Sequence, residues 1–348
     1  MPFKKFNASK NELKKFRSQR LVGIEWEYNY FSSYDSMSFS FKGHNVSRSI
    51  KKWIDKWGGT IHTDISCGEE IITPPVGGDH AFDCIKELGE AMLKSKVKVD
   101  NRCSVHVHVD AKDLSIDDIK KLAIVYSKVE PLLYIIGGHE RYDNDYCCPI
   151  ADALQAALNK KVHWKQYLSK TYGLIGSPYD RHDGARYKGL NLVPWLYGKP
   201  RNRDNTTVEF RIHKYTDNWK RIVKWAELCS LIVDYSKKST TKTIDNLSKY
   251  PVAVLVEIAP HLETWIRSSI KSYLGSSNNP LGYKKGKINI PDKCKRLNVE
   301  YSVIVKGCNC EHCGPLRAKE IKLQKKQYLR WHSSLYSFFY NDYKEYSP

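Results

Sequence analysis

The sequence predicts an α+β fold in which an antiparallel sheet is backed by helices. Two observations carry this. Three short segments alternate apolar and polar residues with the period of two that a half-buried strand requires. Around them lie stretches whose apolar residues recur at helical spacing. The 348 residues are 41% hydrophobic and 27% charged, ordinary values for a chain that buries a core.

In chain order, Leu21–Tyr30 reads as a strand with Val22, Ile24, Trp26 and Tyr28 on one face and Gly23, Glu25, Glu27 and Asn29 on the other. Residues 31–50 are Ser-rich and read as a loop. Ile61–Pro75 reads as one extended segment stopped by Pro74-Pro75. Phe82, Ile85, Leu88 and Met92 mark a helix over 80–95. Ser104–Asp110 is a second alternating strand, with Val105, Val107 and Val109 inward and Ser104, His106, His108 and Asp110 opposite. Ser115 with Asp118 makes a capping-box start for a helix to about Ile136, kinked or broken near Pro131. Residues 150–170 read as a helix, and 173–206, rich in Gly, Pro and Arg, as a long functional loop. Thr207–His213 is the third alternating strand: Val208, Phe210 and Ile212 on one face, Thr207, Glu209, Arg211 and His213 on the other. Helices are predicted over 218–236 and 251–274.

Charge narrows the function classes. The chain carries 57 Lys/Arg against 38 Asp/Glu, a formal charge of +19. Residues 1–20 contribute +6 and residues 284–330 contribute +9, so the basic character belongs to the ends. A nucleic-acid or acidic partner is expected there. No apolar run reaches the roughly 18 residues that a membrane span needs. The start has no apolar core of a secretory signal, so the expected location is the cytosol, or a host cytosol for a viral chain. The ten cysteines are then expected to be reduced or metal-bound.

The polar faces of the three strands hold the candidate chemistry. They gather Glu25 and Glu27, then His106 and His108, then Glu209, Arg211 and His213, while Asp64, Glu69 and Glu70 add carboxylates from the extended segment. Clustered carboxylates repel one another unless cations lie between them. Carboxylate oxygens with one or two imidazoles suit Mg²⁺ or Mn²⁺. Neither a His-Glu-x-x-His helix nor a P-loop is present.

Five motifs in series, Gly23-x-Glu25-x-Glu27, Gly68-x-Glu70-Ile-Ile-Thr-Pro74, Cys103-x-x-His106-Val-His108-Val, Arg186-Tyr187-x-x-x-Asn191-Leu and Val208-Glu209-Phe-Arg211, resemble the amidoligase family. Its members are carboxylate–amine ligases related to glutamine synthetase and glutamate–cysteine ligase. The resemblance covers roughly residues 20–236. It implies a sheet of glutamine-synthetase/glutamate–cysteine-ligase type, with ATP entering one mouth, the carboxylate and amine substrates the other, and two or three Mg²⁺ or Mn²⁺ ions between. Glu27 and Glu70 resemble ligands of the ion near the amine acceptor. Glu25, His106 and Glu209 resemble ligands of the ion that bridges to the ATP phosphates. His108 resembles a phosphate contact, and Arg211 the arginine that neutralises the γ-phosphate. Arg186 and Asn191 would orient nucleotide phosphate or substrate carboxylate, so Arg211, Glu70 and Arg186 are the catalytic candidates. The chain departs from the family pattern at Asp64-Ile65-Ser66, at Ser104 and at Lys214-Tyr215-Thr216.

The implied organisation is a basic N-terminal arm (1–19), a catalytic domain (20–275) and a basic C-terminal extension (276–348). In the extension, Cys308, Cys310, His312 and Cys313 form a candidate Zn²⁺ site, with Cys294 or His332 able to complete it. Cys147-Cys148 reads as packing. Cys103 does not read as a nucleophile, because alternation turns it away from His106. His62, His80, His139, His163, His182 and His261 read as structural or surface. The expected activity is ATP-dependent amide-bond formation on an amino acid, a peptide or a protein side chain. The alternatives are a non-catalytic scaffold using its basic ends on nucleic acid or in an assembly, and a metal-dependent hydrolase. No oligomeric state is implied.

Overall fold

The structure, a computed structural model, describes residues 15–31, 39–41, 43–64, 66–150, 186–198, 206–245, 247 and 251–274. The candidate zinc cluster, the basic C-terminal extension, residues 151–170 of the helix expected over 150–170 and residues 1–14 of the arm lie outside the described residues. No described helix is long and apolar enough to cross a membrane.

Six described strands form one sheet. They are β1 (Val22–Tyr28), β5 (Thr60–Asp64), β6 (Gly68–Ile72), β8 (Ser104–Asp110), β9 (Leu190–Asn191) and β10 (Thr207–Lys214). Their order is β5-β6-β1-β8-β10-β9, and every neighbouring pair is antiparallel. Two ribbons, β2 (Tyr30–Phe31) with β7 (Val97–Lys98) and β3 (Phe39–Phe41) with β4 (His44–Val46), lie outside this sheet. The extended segment expected over 61–75 is therefore a hairpin, β5 turning into β6.

One face of the sheet is apolar. Val22, Ile24, Trp26 and Tyr28, with Val105, Val107 and Val109, Ile71, Val208 and Phe210, are fully buried against helices. The helices are α1 (Arg48–Trp57), α2 (Gly78–Ser95), α3 (Ile116–Gly137), α4 (Val193–Gly198), α5 (Trp219–Lys238), α6 (Thr241–Asp245), α7 (Pro251–Ile258) and α8 (Glu263–Leu274). α3 packs against β10, and α5 against β8. The predicted capping box closes α3, Ser115 and Asp118 bonding reciprocally. The helix runs unbroken through Pro131, because Glu130 and Leu132–Gly137 are buried and packing holds the turn that the proline weakens. The long helix expected over 251–274 is instead two, separated at Pro260 by a short 3₁₀ turn.

Helix α1 lies at the end of and beyond the segment read as a loop. Its signals are local: Ser47 caps Ile50 N, Ile50, Trp53 and Ile54 form the buried stripe, and Gly58 closes it in the left-handed region (φ 78°). Residues 15–19, at the end of the predicted arm, and Arg20 beside them lie on the body. Phe16 is in the core, Arg17 N donates to Glu227, and Arg20 binds Asp113 and Asp234.

Helix α2 crosses α5 closely at Gly89. A Cβ built there would stand 2.2 Å from Trp219 Cβ and 3.3 Å from Trp26 Cη2. Gly89→Ala is therefore expected to destabilise by about 1–3 kcal/mol, despite the better helix propensity of alanine. Urea unfolding checks this, and an unchanged or raised midpoint would refute it.

Candidate active site

The antiparallel register aligns the polar side chains into rows across the other face. His62, Glu70 and Glu27 are successive partners on β5, β6 and β1. Ile72, Glu25 and His106 form the next row. Gly23, His108, Glu209 and Asn191 form the third. Alternation is what lets one strand bury Trp26 on one side and offer Glu25 and Glu27 on the other.

In β10 this alternation breaks. Glu209 pairs with His108 and Phe210 with Val107, but His213 pairs with Val105, so one extra residue is inserted between Phe210 and His213. The bulge moves His213 from the polar face, where strict alternation puts it, to the helix side. There it is fully buried, 5.2 Å from the Trp225 ring, and burial lowers its pKa to about 3. Arg211 stays with the acids.

The sequence-derived candidates largely come together. His106 Nδ1 lies 3.1 Å from Glu25 Oε2 and 3.5 Å from Glu209 Oε1, and its Nε2 lies 3.4 Å from Glu27 Oε1. His108 Nε2 lies 3.1 Å from Glu25 Oε1, off the line of a hydrogen bond, so this buried atom has no well-aligned acceptor among the described residues. Its Nδ1 lies 3.1 Å from Thr207 Oγ1. Glu209, 3% exposed, accepts from Asn191 Nδ2 at 2.6 Å and from Arg211 Nη1. Arg186 stands apart: its guanidinium covers the Tyr187 ring at 5.3 Å, and that ring meets Tyr146 edge-on at 5.1 Å.

Two residues matter more than the sequence suggests. Asp64 joins Glu27 and Glu70, and one oxygen from each of the three lies within 4.8 Å of the others. Its Oδ1 accepts from Ser66 N at 2.6 Å, from the Ser66 hydroxyl and from Cys67 N at 3.1 Å. The Asp-x-Ser signal is present in the chain, but only the β5–β6 hairpin aims it. Ser104 donates to Glu27 Oε2 from N (2.7 Å) and from Oγ (2.6 Å), and its Oγ is 2.7 Å from His106 Nε2. His62 shares the face with Glu70 but is exposed and reaches Thr60 Oγ1. Cys103 is buried, its thiol on Asn29 Oδ1, away from the imidazoles.

Electrostatics divides the face. Burial opposes ionisation of Glu25, but His108 and His106 outweigh it and hold the carboxyl well below the usual range. Burial likewise opposes ionisation of Glu209, and Arg211 and His108 overcome it. Burial disfavours charge on His108, yet Glu209 and Glu25 raise it to about 9. At the other end, burial followed by repulsion from Glu25, Asp64, Glu27 and Glu209 pushes Glu70 up to about 8. Two groups thus have the donors and spacing to hold a cation: Glu25, His106 and Glu209, and Glu27, Asp64 and Glu70. Oxygen donors with one imidazole match a hard divalent ion such as Mg²⁺ or Mn²⁺. The proton that Glu70 retains under its neighbours' repulsion marks a place short of positive charge.

These shifts set a pH dependence. Folded Glu70 keeps its proton to about 8, whereas the unfolded chain loses it near the ordinary value of 4.5, and folded His108 keeps its proton to about 9 against 6.5. The folded state thus binds more protons in those windows, and both contributions fade as pH rises toward those folded values. Stability of the metal-free protein is expected to fall from about pH 6 to about pH 9. Mn²⁺ should flatten the fall by displacing the Glu70 proton. Thermal midpoints with and without Mn²⁺ test this, and a level metal-free profile would contradict it.

An antiparallel α+β fold whose open face is lined with carboxylates, imidazoles and one arginine defines the class of protein. Residues 14–233 match the family model described as "Putative amidoligase enzyme", and the chain belongs to this amidoligase family. Comparison with curated proteins finds no match.

Proposed function

We propose that the chain is an ATP-dependent carboxylate–amine ligase, its catalytic domain spanning residues 20–275 and built on a sheet of glutamine-synthetase/glutamate–cysteine-ligase type. The observation that carries the reading is Glu209. One buried carboxylate touches Asn191 and Arg211 and lies beside His106 and His108, a mixed-charge centre built from three strands. A solvated sheet face has no need of such a centre.

Bound Mg²⁺ or Mn²⁺ would supply positive charge to the phosphate oxygens and to the carboxylates around them. Glu25, His106 and Glu209 would hold one ion, and Glu27, Glu70 and Asp64 another. A substrate carboxylate oxygen attacks the γ-phosphorus, ADP leaves, and an acyl phosphate forms. The amine then attacks the acyl carbon, phosphate leaves, and the amine nitrogen loses a proton. His108, held protonated by Glu209 and Glu25, contacts a phosphate oxygen. Arg211 neutralises charge on the transferred group. Asn191 keeps Glu209 oriented, and Arg186 at the edge of the face contacts nucleotide phosphate or substrate carboxylate.

The acceptor and donor are amino acids, peptides or protein side chains, and the proposed location is the cytosol. The basic ends, residues 1–20 and 284–330, are proposed to meet an acidic partner or nucleic acid, a role that salt-dependent duplex binding tests separately. The test of the ligase is ADP release from ATP in the presence of Mn²⁺ and pooled amino acids and peptides. Release that needs both a carboxylate and an amine supports the reading. ATP-independent amide turnover, or ADP release indifferent to both substrates, would overturn it.

A further inference from the structure

Arg141 has no part in the chemistry proposed for the sheet face. It lies in the 3₁₀ turn His139–Asp143 that succeeds α3, and it is 3% exposed. Its Nη2 donates to the carbonyl of Arg211 at 3.3 Å, its Nε is buried with no acceptor, and no carboxylate pairs with it among the described residues. Among the described residues this buried guanidinium meets no counter-charge, and burial of that kind is costly, so its bond to the Arg211 carbonyl carries weight.

Its contact is with the bulge. In an antiparallel strand the N–H and C=O of one residue point to the same side. Arg211 N donates to Gly189 O at 3.0 Å, so its carbonyl also faces the β9 edge. Gly189 N, which would return that bond to the Arg211 carbonyl, donates instead to Cys148 O at 2.8 Å. The Arg211 carbonyl therefore lacks a strand partner, and Arg141 supplies one.

The same segment grips the bulged strand at two further points. Tyr146 O accepts from Arg211 Nε at 3.1 Å, and Glu140 Oε1 accepts from Lys214 Nζ. Arg211 Nη1 is committed to Glu209. Nε and Nη1 are thus both engaged, and Nη2 is the edge that meets no acceptor among the described residues.

We propose that Arg141 is the positioning residue of Arg211: by closing the bulge carbonyl it fixes the backbone from which the guanidinium presents Nη2 to an incoming oxyanion, a phosphoryl group or a carboxylate. The catalytic consequence rests on the ligase reading, whereas the positioning itself does not.

The test monitors the Arg211 Nε–H signal by ¹⁵N NMR of the full chain, assigned by its loss in Arg211→Lys. In Arg141→Met this proton is expected to exchange with solvent on the order of tenfold faster or more, because local opening is easier. Arg141→Lys, which keeps a donor and the charge, should restore part of the protection. In the ATP assay Arg141→Met should lower kcat by roughly 10²-fold, with a smaller change in KM for the nucleotide. Unchanged exchange of Arg211 Nε–H in Arg141→Met would overturn the proposal, as would faster exchange with undiminished kcat. If Arg141→Met does not fold, Arg141→Lys alone decides by the same readouts. If neither folds, Arg141 is a folding residue and the proposal fails. Absence of turnover in the unsubstituted protein would sink the ligase reading and leave the exchange measurement still decisive for Arg141.

Discussion

Arg211→Met is expected to slow carboxylate-dependent ADP release by about 10³-fold or more, the range associated with an arginine that neutralises a phosphoryl group in flight. The residue is 8% exposed, and Nε and Nη1 are tied to Tyr146 O and Glu209. A group so fixed needs no rearrangement as charge develops, which is where electrostatic stabilisation has most effect. Methionine keeps the volume of the stem and removes the cation together with its bonds to Tyr146 O and Glu209. On the proposed mechanism the interaction is made chiefly in the transition state, so the loss should fall on kcat, with KM for ATP changing by much less. Steady-state kinetics with saturating Mn²⁺ checks this. An activity within tenfold of the unsubstituted protein would remove Arg211 from the reaction.

Glu209→Gln has the second large effect, and it is read out in stability as well as in rate. Glu209, itself buried, balances the buried Arg211 and the half-buried His108, so neutralising it leaves two cations without their shared counter-charge. Removing one partner of a buried pair costs on the order of 3–5 kcal/mol, mostly through the charge left behind. The cost should shrink when Arg211→Met is added, because the stranded guanidinium is gone. The coupling between the two positions, taken from urea unfolding of the four proteins, is therefore expected to be large. It is measured without metal, so that cation binding does not enter. The His108 pKa should fall together with Glu209→Gln, since Glu209 is the first of the charges that raise it. Additive effects would mean that the pair is not coupled and that Glu209 does not balance the two cations.

Much of the fold is legible in the chain, and particular residues show why. The strand Ser104–Asp110 has the limits its sequence predicts, because its alternation is uninterrupted and its inward residues are all valine. The capping box of α3 is a local pattern, and local patterns survive folding. Helix α1 replaces part of a predicted loop. Ser47, the Ile50–Trp53–Ile54 stripe and Gly58 all announce it, but the serine-rich run before it masks the signal. His213 sits on the face opposite to the predicted one because a bulge inserts one residue without leaving any mark in composition. Ser104 departs from the family pattern, yet its hydroxyl bonds Glu27 and lies beside the His106 ring.

Residue types, their spacing and the period of two are enough to name the ionisable side chains and to say that each strand turns them away from the helices. That comes from the covalent geometry of an extended backbone, which any alternating segment obeys wherever it lies. How those strands are ordered, which glutamate stands opposite which histidine, and that Asp64 joins Glu27 and Glu70 are settled only by long-range pairing. So are the shift of His213 to the core and the capture of the Arg211 carbonyl by Arg141. Hydrogen bonding between distant segments sets register, and one added residue reverses every side chain beyond it.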